Sequence, residues 1–213
     1  TETSPVLTAE AENKHKTGSI GYPLDNKEEK IDNPDKEGVG EILAKGPNIM
    51  LGYYKDEKKT KEAFKDGWLK TGDYGYIDDE GFIFITGRKN DIIVLRNGKN
   101  VYPQELEFLI SKLPYVAECM VFARNESNTD TAIVAKIVYN KEVMEKDYPD
   151  TKKEDYEKMI WKDVKEINKT LPTFKHIKKV IVTDEPMIKT TTQKVKRNEE
   201  IKKTEKELQK VEK

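Results

Sequence analysis

Cysteine, histidine and long apolar runs are scarce in this chain of 213 residues. The single cysteine, Cys119, excludes an intrachain disulfide and fits a reducing compartment. No apolar run is long enough to cross a bilayer, and no signal-peptide pattern is present. These absences predict a soluble, cytoplasmic protein without a transmembrane segment.

Net charge is also small, although charged residues are common. The 39 Lys and Arg nearly balance the 40 Asp and Glu, which leaves a net charge of -1. No basic field therefore attracts nucleic acid, and we interpret the charge as solvated surface. His15 and His176 have no Cys or His partner at metal-ligand spacing, and a Gly-rich phosphate loop is absent. We interpret both histidines as surface residues.

The first part of the chain is rich in turns and short strands. Short apolar runs at 19–24, 40–45 and 81–86 are punctuated by Gly and Asp. Such runs predict antiparallel strands of a small barrel or sandwich. A polar stretch at 55–65 predicts a short surface helix, after which Trp68 and its neighbour Leu69 begin another strand.

Residues 86–107 join this part to a Lys- and Glu-rich second part. An aliphatic run at 91–95 resumes at 99–102 after Asn97-Gly98, a dipeptide typical of tight hairpin turns. Pro103 suits the first position of a helix. The apolar residues that follow predict one buried helical face: Leu106, Leu109, Ile110 and Leu113.

The second part predicts a small α+β domain. Strand-like runs at 116–123 and 131–139 flank a polar loop at 124–130, and a third run lies at 177–182. Helical spacing of apolar residues predicts a helix at 155–171. The last residues, from 195 onward, are nearly all polar and predict a frayed or solvated helix. Overall the fold class is α+β: a small β-barrel-like subdomain, then a domain with a β-hairpin and a three-stranded sheet flanked by helices.

Six short motifs occur in a fixed order along the chain. They are Thr1-Glu2-Thr3-Ser4-Pro5; Gly40-Glu41-Ile42 with Gly46 and Gly52-Tyr53-Tyr54; Asp66-Gly67-Trp68-Leu69-Lys70-Thr71-Gly72-Asp73; Gly87-Arg88; Pro103-Gln104-Glu105-Leu106-Glu107; and Thr192-Gln193-Lys194-Val195-Lys196-Arg197. Together they resemble the AMP-forming adenylate-forming superfamily of acyl-CoA synthetases, peptide-synthetase adenylation domains and luciferases. Residues 87–91, 97–101 and 190–192 are most similar to bacterial long-chain fatty acid–CoA ligases.

The resemblance implies a division of the chain and an absent upstream part. Residues 1–88 correspond to the last β-rich subdomain of the large N-terminal domain, 89–91 to a hinge, and 92–213 to the mobile C-terminal domain. In the family, the loop that holds the ATP phosphates and most of the acyl pocket lie upstream of the Thr-Glu motif. The chain starts at that motif, with Thr rather than Met, so we expect a fragment that is inactive alone.

The chemistry implied by the resemblance is a two-step ligation that needs ATP, Mg²⁺ and CoA. A carboxylic acid, expected to be a long-chain fatty acid, attacks the α-phosphate of ATP to give acyl-adenylate and pyrophosphate. The thiol of CoA then displaces AMP. A lipid substrate would also allow peripheral association with a membrane surface.

Five residues match the family's nucleotide and catalytic positions. Lys194 matches the adenylation lysine, whose ammonium bridges the substrate carboxylate and the α-phosphate; the alternative is one more solvated lysine. Asp73 matches the acceptor of both ribose hydroxyls, although a turn aspartate is the alternative. Arg88 matches an arginine that contacts ribose and phosphate. Glu2 matches a magnesium-associated carboxylate, and Thr1 matches a phosphate contact.

Three positions depart from the family pattern. Asn90 falls at the hinge position, where Asp or Lys is usual. Gln193 replaces the glycine expected before the catalytic lysine, which would stiffen the loop. The hairpin before Pro103 is one residue longer than in many members, and Gly98 is our candidate for the lining of the CoA thiol tunnel.

Two other functions stay open on the sequence alone. The acyl-adenylate could be transferred to the phosphopantetheine of a carrier protein instead of CoA. The chain could also be a degenerate, non-catalytic adenylate-binding module. The joint presence of Asp73, Arg88 and Lys194 argues against the second alternative.

Overall fold

The computed structural model describes residues 1–125 and 131–211, and it divides the chain into two compact units, Thr1–Ile92 and Ile93–Lys213. The predicted α+β class is confirmed. Within the described residues, no helix has the length and apolar character needed to cross a membrane. Part of the predicted polar loop, 126–130, lies outside the described residues, while its first two residues extend a strand.

The N-terminal unit is built on a five-stranded antiparallel sheet. The strands β3, β4, β6 and β5 follow one another in that order, β7 pairs with β6, and β1 pairs with β2 in a separate ribbon. The elements are β1 (Thr8–Ala9), β2 (Tyr22–Pro23), β3 (Glu28–Asp32), β4 (Gly40–Lys45), α1 (Glu57–Ala63), β5 (Phe64–Lys65), β6 (Trp68–Ile77) and β7 (Ile83–Arg88).

Most of the elements predicted for this unit are confirmed. Strand β4 is buried along nearly its whole length, which agrees with its apolar run. The surface helix α1 is capped by Asp56, whose side chain accepts a hydrogen bond from the Lys59 amide. The run at 19–24 forms only the short β2, and the sequence pattern missed β3 because four of its five residues are charged.

The C-terminal unit contains a hairpin and a three-stranded sheet in the order β10, β11, β12. Strand β11 is antiparallel to β10 and parallel to β12. The elements are β8 (Ile93–Val94), β9 (Asn100–Val101), α2 (Pro103–Ser111), β10 (Val116–Asn125), β11 (Thr131–Tyr139), α3 (Lys141–Asp147), α4 (Tyr156–Lys169), β12 (Lys179–Thr183) and α5 (Arg197–Val211). Helix α3, which begins after an Asn140 cap, was not predicted.

Both faces of this sheet are covered. On one face, α2 and α4 pack on the odd-numbered residues of β11 through Leu106, Ile110, Ile160 and Val164. On the other face, the even-numbered residues of β11 form a smaller core with Met187 and Ile201. Because β11 alternates between two apolar layers, nearly all of its residues are buried.

One prediction for the second unit was wrong, and another is confirmed. Helix α5 is not solvated throughout, because Glu200 and Thr204 are fully buried against Lys136 of β11. The predicted hairpin between β8 and β9 is confirmed, and Gly98 of its Asn97-Gly98 pair has a positive φ, of 76°. The Leu95 carbonyl accepts from the Gly98 amide, so the connection is a turn followed by a left-handed glycine.

Candidate functional site

A cavity of about 400 Å³ in the N-terminal unit collects the four residues predicted to contact nucleotide. Thr1, Glu2, Asp73 and Arg88 all line it, although they are far apart in sequence. Tyr53 also lines the cavity. The volume falls in the range of small-ligand sites. The N-terminal unit therefore has a concave surface to which the first four motifs contribute.

Strand pairing brings Asp73 and Arg88 together. They are direct cross-strand partners in β6 and β7, and the Nε of Arg88 lies 2.8 Å from Oδ1 of Asp73. The Asp73 side chain is 24% exposed and that of Arg88 is 60% exposed. Because Arg88 uses Nε for this pair, its two terminal nitrogens can still be offered to an anion in the cavity.

A bulge in β6 sets the orientation of Asp73. The register with β4 shifts between Glu41 and Leu43, opposite the Thr71-Gly72-Asp73 segment, and Gly72 has φ of 74° there. The Thr71 hydroxyl donates to the Ile42 carbonyl at 2.7 Å and lies 3.1 Å from the Asp73 amide, which donates to it. Bulges commonly re-aim a side chain in this way. The sequence pattern missed Thr71, although it lies within a recognised motif.

Burial raises the pKa of Asp73, and the nearby Arg88 guanidinium acts in the opposite direction. A carboxylate in this position has two acceptor oxygens, and Oδ1 is the one that faces Arg88. The arrangement can therefore accept hydrogen bonds from paired hydroxyl groups while the arginine contacts a nearby anion.

Glu2 lies at the edge of the same cavity. Its backbone carbonyl accepts from the Met50 amide at 2.9 Å, and its carboxylate accepts from the Tyr53 hydroxyl at 3.2 Å. Hydrogen bonding to its own backbone and to Tyr53 lowers the pKa of Glu2, so it is a carboxylate at neutral pH. Within the described ranges no group of three or more His, Cys, Asp or Glu could hold a metal ion. One carboxylate fits Mg²⁺ that is otherwise bound by phosphate oxygens.

Lys194 lies in the C-terminal unit on the connection between β12 and α5, and its side chain is exposed. An antiparallel bridge between Lys189 and Val195 closes the loop, and the Thr190 amide donates to the Lys194 carbonyl at 2.8 Å. Gln193 has φ of 63°, a conformation that glycine adopts without strain. The loop thus keeps a glycine-type backbone at the position where the sequence departs from the family.

The remaining predicted positions lie in exposed turns. Asn90 is exposed within a short 3-10 turn at Lys89–Asp91, and Gly98 is at the tip of the β8–β9 hairpin. Lys89, beside Asn90, forms an ion pair of 2.6 Å with Glu41 of β4. Each unit therefore carries its own share of the candidate residues: the four predicted nucleotide contacts in the first, and Gly98 and Lys194 in the second.

An ion pair between two motifs was also missed. Arg197 at the start of α5 lies 2.7 Å from the Glu107 carboxylate of α2 and donates to the Val121 carbonyl at 2.6 Å. Glu107 also accepts from the Val121 amide. Glu107 is the last residue of the fifth motif and Arg197 the last of the sixth, and this position was the sequence signal for the ion pair. The pair attaches the end of the Lys194 loop to α2 and β10.

A curled antiparallel sheet followed by a three-stranded α+β unit is the architecture of the C-terminal part of adenylate-forming enzymes. The model described as AMP-binding enzyme C-terminal domain matches residues 90–213, and the model described as AMP-binding enzyme matches residues 1–54. The chain belongs to the AMP-binding enzyme family. The predicted superfamily is therefore confirmed.

Similar proteins include CoA ligases of one kind. The 2-succinylbenzoate–CoA ligase of Listeria innocua is 39% identical over 184 residues, which cover 86% of this chain and 35% of the relative. The o-succinylbenzoate CoA synthetase MenE of Bacillus subtilis, solved with the acyl-adenylate intermediate OSB-AMP, has a TM-score of 0.70 and 31% identity, with 86% of this chain and 35% of that chain covered. The same synthetase solved with ATP and a magnesium ion has a TM-score of 0.65 and 34% identity, with 87% and 36% covered.

The chain spans about a third of the length of these relatives. None of the relatives described above is named as a long-chain fatty acid ligase, so the expected long-chain type and its place in lipid metabolism are not supported. The expected nucleotide and metal agree with the ATP and magnesium ion of the solved relative.

Proposed function

We propose that this chain is the C-terminal part of an AMP-forming acid–CoA ligase. The observation that carries the proposal is the cavity in which Thr1, Glu2, Asp73 and Arg88 meet, with the Asp73–Arg88 pair at 2.8 Å. Motifs found in the sequence selected these four residues, and folding brings them to one surface. The joint presence of these four residues and Lys194 argues against a degenerate, non-catalytic module.

For the acid we propose o-succinylbenzoate or a similar aromatic carboxylate instead of a long-chain fatty acid. The support is the identity to 2-succinylbenzoate–CoA ligases, at 39% over 184 residues in one of them. The acceptor is CoA, as in the names of those relatives. This choice removes the reason to expect membrane association for a lipid substrate.

In the first step, the N-terminal unit binds the nucleotide. Asp73 accepts hydrogen bonds from the ribose hydroxyls, and Arg88 donates to ribose or phosphate oxygens from its terminal nitrogens. Thr1 donates its hydroxyl to a phosphate oxygen. Glu2 would hold Mg²⁺ together with phosphate oxygens, and the bound ion would neutralise part of the phosphate charge.

Lys194 stabilises the attack. A carboxylate oxygen of the acid bonds to the α-phosphorus of ATP while the bond to pyrophosphate breaks, so negative charge crowds around the α-phosphate. An ammonium between the two anions stabilises this transition state by roughly 3–4 kcal/mol, by analogy with loss of one oxyanion donor. The exposed position of Lys194 on a narrow loop suits a side chain that enters another binding site.

The second step transfers the acyl group. The thiolate sulfur of CoA bonds to the acyl carbon, and AMP leaves with the electron pair of the broken acyl–phosphate bond. We assign Gly98 to the lining of the thiol path, because glycine has no side chain that could obstruct a narrow substrate at the hairpin tip. Asn90 is the assigned hinge between the two steps.

Pyrophosphate exchange and thioester formation by the ligase that contains this chain test the proposal. Labelled pyrophosphate should enter ATP in the presence of o-succinylbenzoate and not of palmitate, and free CoA should then yield the thioester. Exchange with palmitate alone would contradict the proposed acid. Transfer to a phosphopantetheinyl carrier protein but not to CoA would contradict the proposed acceptor.

A further inference from the structure

A carboxylate of the three-stranded sheet holds the segment that leads into the loop carrying Lys194. Glu118 of β10 accepts from the Met187 amide at 3.1 Å and from the Lys189 ammonium at 2.7 Å. Its side chain is 18% exposed and lies on the face of the sheet where the loop packs through Met187. One carboxylate therefore holds both the backbone and a side chain of the segment that leads into the loop.

A second carboxylate holds the residue between these two. Glu200 of α5 accepts from the Ile188 amide at 2.8 Å and from the Lys136 ammonium at 2.7 Å. Burial acts to raise the pKa of Glu200, but the Ile188 amide and Lys136 outweigh it and keep that pKa below its ordinary value. Ile188 in turn accepts from the Lys196 amide at 2.8 Å. Ile188 and Lys196, on the two sides of the loop, are thus hydrogen-bonded to each other beside the segment that the Glu118 and Glu200 carboxylates hold.

The tip of the loop is bonded within itself. The Gln193 amide donates to the Thr190 carbonyl at 3.0 Å, and the Lys194 amide donates to the Thr190 hydroxyl at 3.1 Å. The direction in which Lys194 projects is therefore set by the base of the loop. Small displacements of a catalytic group lower the rate steeply, because the reacting geometry is narrow.

We propose that Glu118 is a positioning residue for Lys194. It fixes Met187 and Lys189 at the base of the loop, so that the Lys194 ammonium is presented in the orientation that adenylation needs. This inference rests on the function proposed above for Lys194. Glu118 is a better test of it than Glu200, because the full burial of Glu200 adds a large contribution to folding itself.

Hydrogen exchange of this chain tests the anchoring independently of catalysis. We expect Glu118→Ala to speed hydrogen exchange of the Met187 and Lys196 amides by about tenfold, because the variant loses a charge-assisted hydrogen bond. Glu118→Gln keeps an acceptor for Met187 and should have a smaller effect. Asp163→Asn is the matched control, since Asp163 accepts from Tyr115 at 2.7 Å in the core on the other face of the sheet. Unchanged exchange in Glu118→Ala would overturn the inference.

The rates of the two half-reactions of the ligase test whether Glu118 positions Lys194 for adenylation. We expect Glu118→Ala to lower the rate of acyl-adenylate formation by about 10- to 100-fold, and Glu118→Gln to recover much of it. Thioester formation from supplied acyl-adenylate should not change, because Lys194 acts only in the first step. Equal losses in both half-reactions would show a general structural role and overturn the inference. If Glu118→Ala does not fold, a selective loss in Glu118→Gln carries the same test.

Lys194→Ala separates the two proposals. If it abolishes adenylation while both Glu118 variants keep the full rate, the function of Lys194 stands and the positioning role of Glu118 is wrong. If Lys194→Ala itself keeps the adenylation rate, the proposed function of the lysine is wrong, and faster exchange in Glu118→Ala then describes a structural anchor alone.

Discussion

Asp73 and Arg88 face each other directly across β6 and β7, with 2.8 Å between Oδ1 and Nε. The strand register places both side chains at one cavity, and the bulge at Gly72 sets where Asp73 points. The pair therefore links a local backbone irregularity to the proposed nucleotide site.

Asp73→Ala should weaken AMP binding by the ligase roughly 10- to 100-fold, because hydrogen bonds to charged groups contribute about 1.5–3 kcal/mol each. Calorimetric titration with AMP measures the change. Asp78→Ala is the control, since Asp78 forms an ion pair of 2.6 Å with Lys16 and is not among the residues that line the cavity. Equal affinities in the Asp73 and Asp78 variants would contradict the assigned role.

Gln193→Gly should raise the free energy of unfolding by roughly 0.5–1 kcal/mol. Gln193 has φ of 63°, and the relief of left-handed strain of about 1–2 kcal/mol exceeds the added entropy of glycine in the unfolded chain. Urea unfolding of this chain measures the difference. Thr191→Gly, at an exposed neighbour without a positive φ, should be destabilising. Destabilisation by both substitutions would show that no strain is stored at Gln193.

Local sequence patterns predicted the elements whose signals lie within a few neighbouring residues. The Pro103 start of α2, the β8–β9 hairpin and the apolar runs of β10 and β11 all follow from nearest-neighbour signals. Strand β3 was missed because its charged residues are accommodated by pairing with β4, which is a non-local relationship. Helix α5 looked solvated because the pairing of Lys136 with Glu200 joins residues that are distant in sequence.

The candidate site was predicted as a list of residues from motif resemblance. The cavity that collects Thr1 and Arg88, and the bulge beside Asp73, depend on strand register that the residue pattern does not contain. The anchors of the Lys194 loop were missed for the same reason. A lysine in the middle of the apolar strand β11 was the one local sign of a buried partner.

Stability should fall as pH rises because of Glu29. Burial raises the pKa of Glu29 from 4.5 to about 7, and neither carboxyl oxygen has a hydrogen-bond partner among the residues that the structure describes. Between these values the unfolded chain has released a proton that the folded chain keeps. The contribution of Glu29 is therefore fully present below pH 4.5 and is lost as pH rises through about 7.

Glu29→Gln should flatten this dependence. We expect a melting temperature about 2–4 °C above that of the unmodified chain at pH 8, corresponding to about 1 kcal/mol, and little difference at pH 4.5. Thermal unfolding at both pH values measures it. Glu28→Gln, an exposed neighbour on β3, should leave the dependence unchanged. A parallel dependence for Glu29→Gln and the unmodified chain would contradict the assignment.

Lys136→Met should lower the free energy of unfolding by about 3–5 kcal/mol, because it leaves the buried Glu200 carboxylate without its ammonium partner. Lys136→Met combined with Glu200→Gln should lose less than Lys136→Met alone, since Gln removes the buried charge and keeps an acceptor for Ile188. Urea unfolding gives the double-mutant cycle. Lys169→Ala breaks an exposed pair with Glu166 and should cost about 0.5 kcal/mol or less. Strict additivity of the Lys136 and Glu200 changes would contradict this account.

The most direct test of the account is carboxylate-dependent ATP–pyrophosphate exchange by the ligase that contains this chain, with and without Lys194→Ala. Loss of one charge-assisted transition-state contact should lower exchange by roughly 100- to 1,000-fold. Lys202→Ala, at an exposed lysine of α5, should exchange at the unmodified rate. Exchange that depends on o-succinylbenzoate and is lost only in Lys194→Ala is the result we predict. Undiminished exchange in Lys194→Ala would show that this lysine does not perform adenylation.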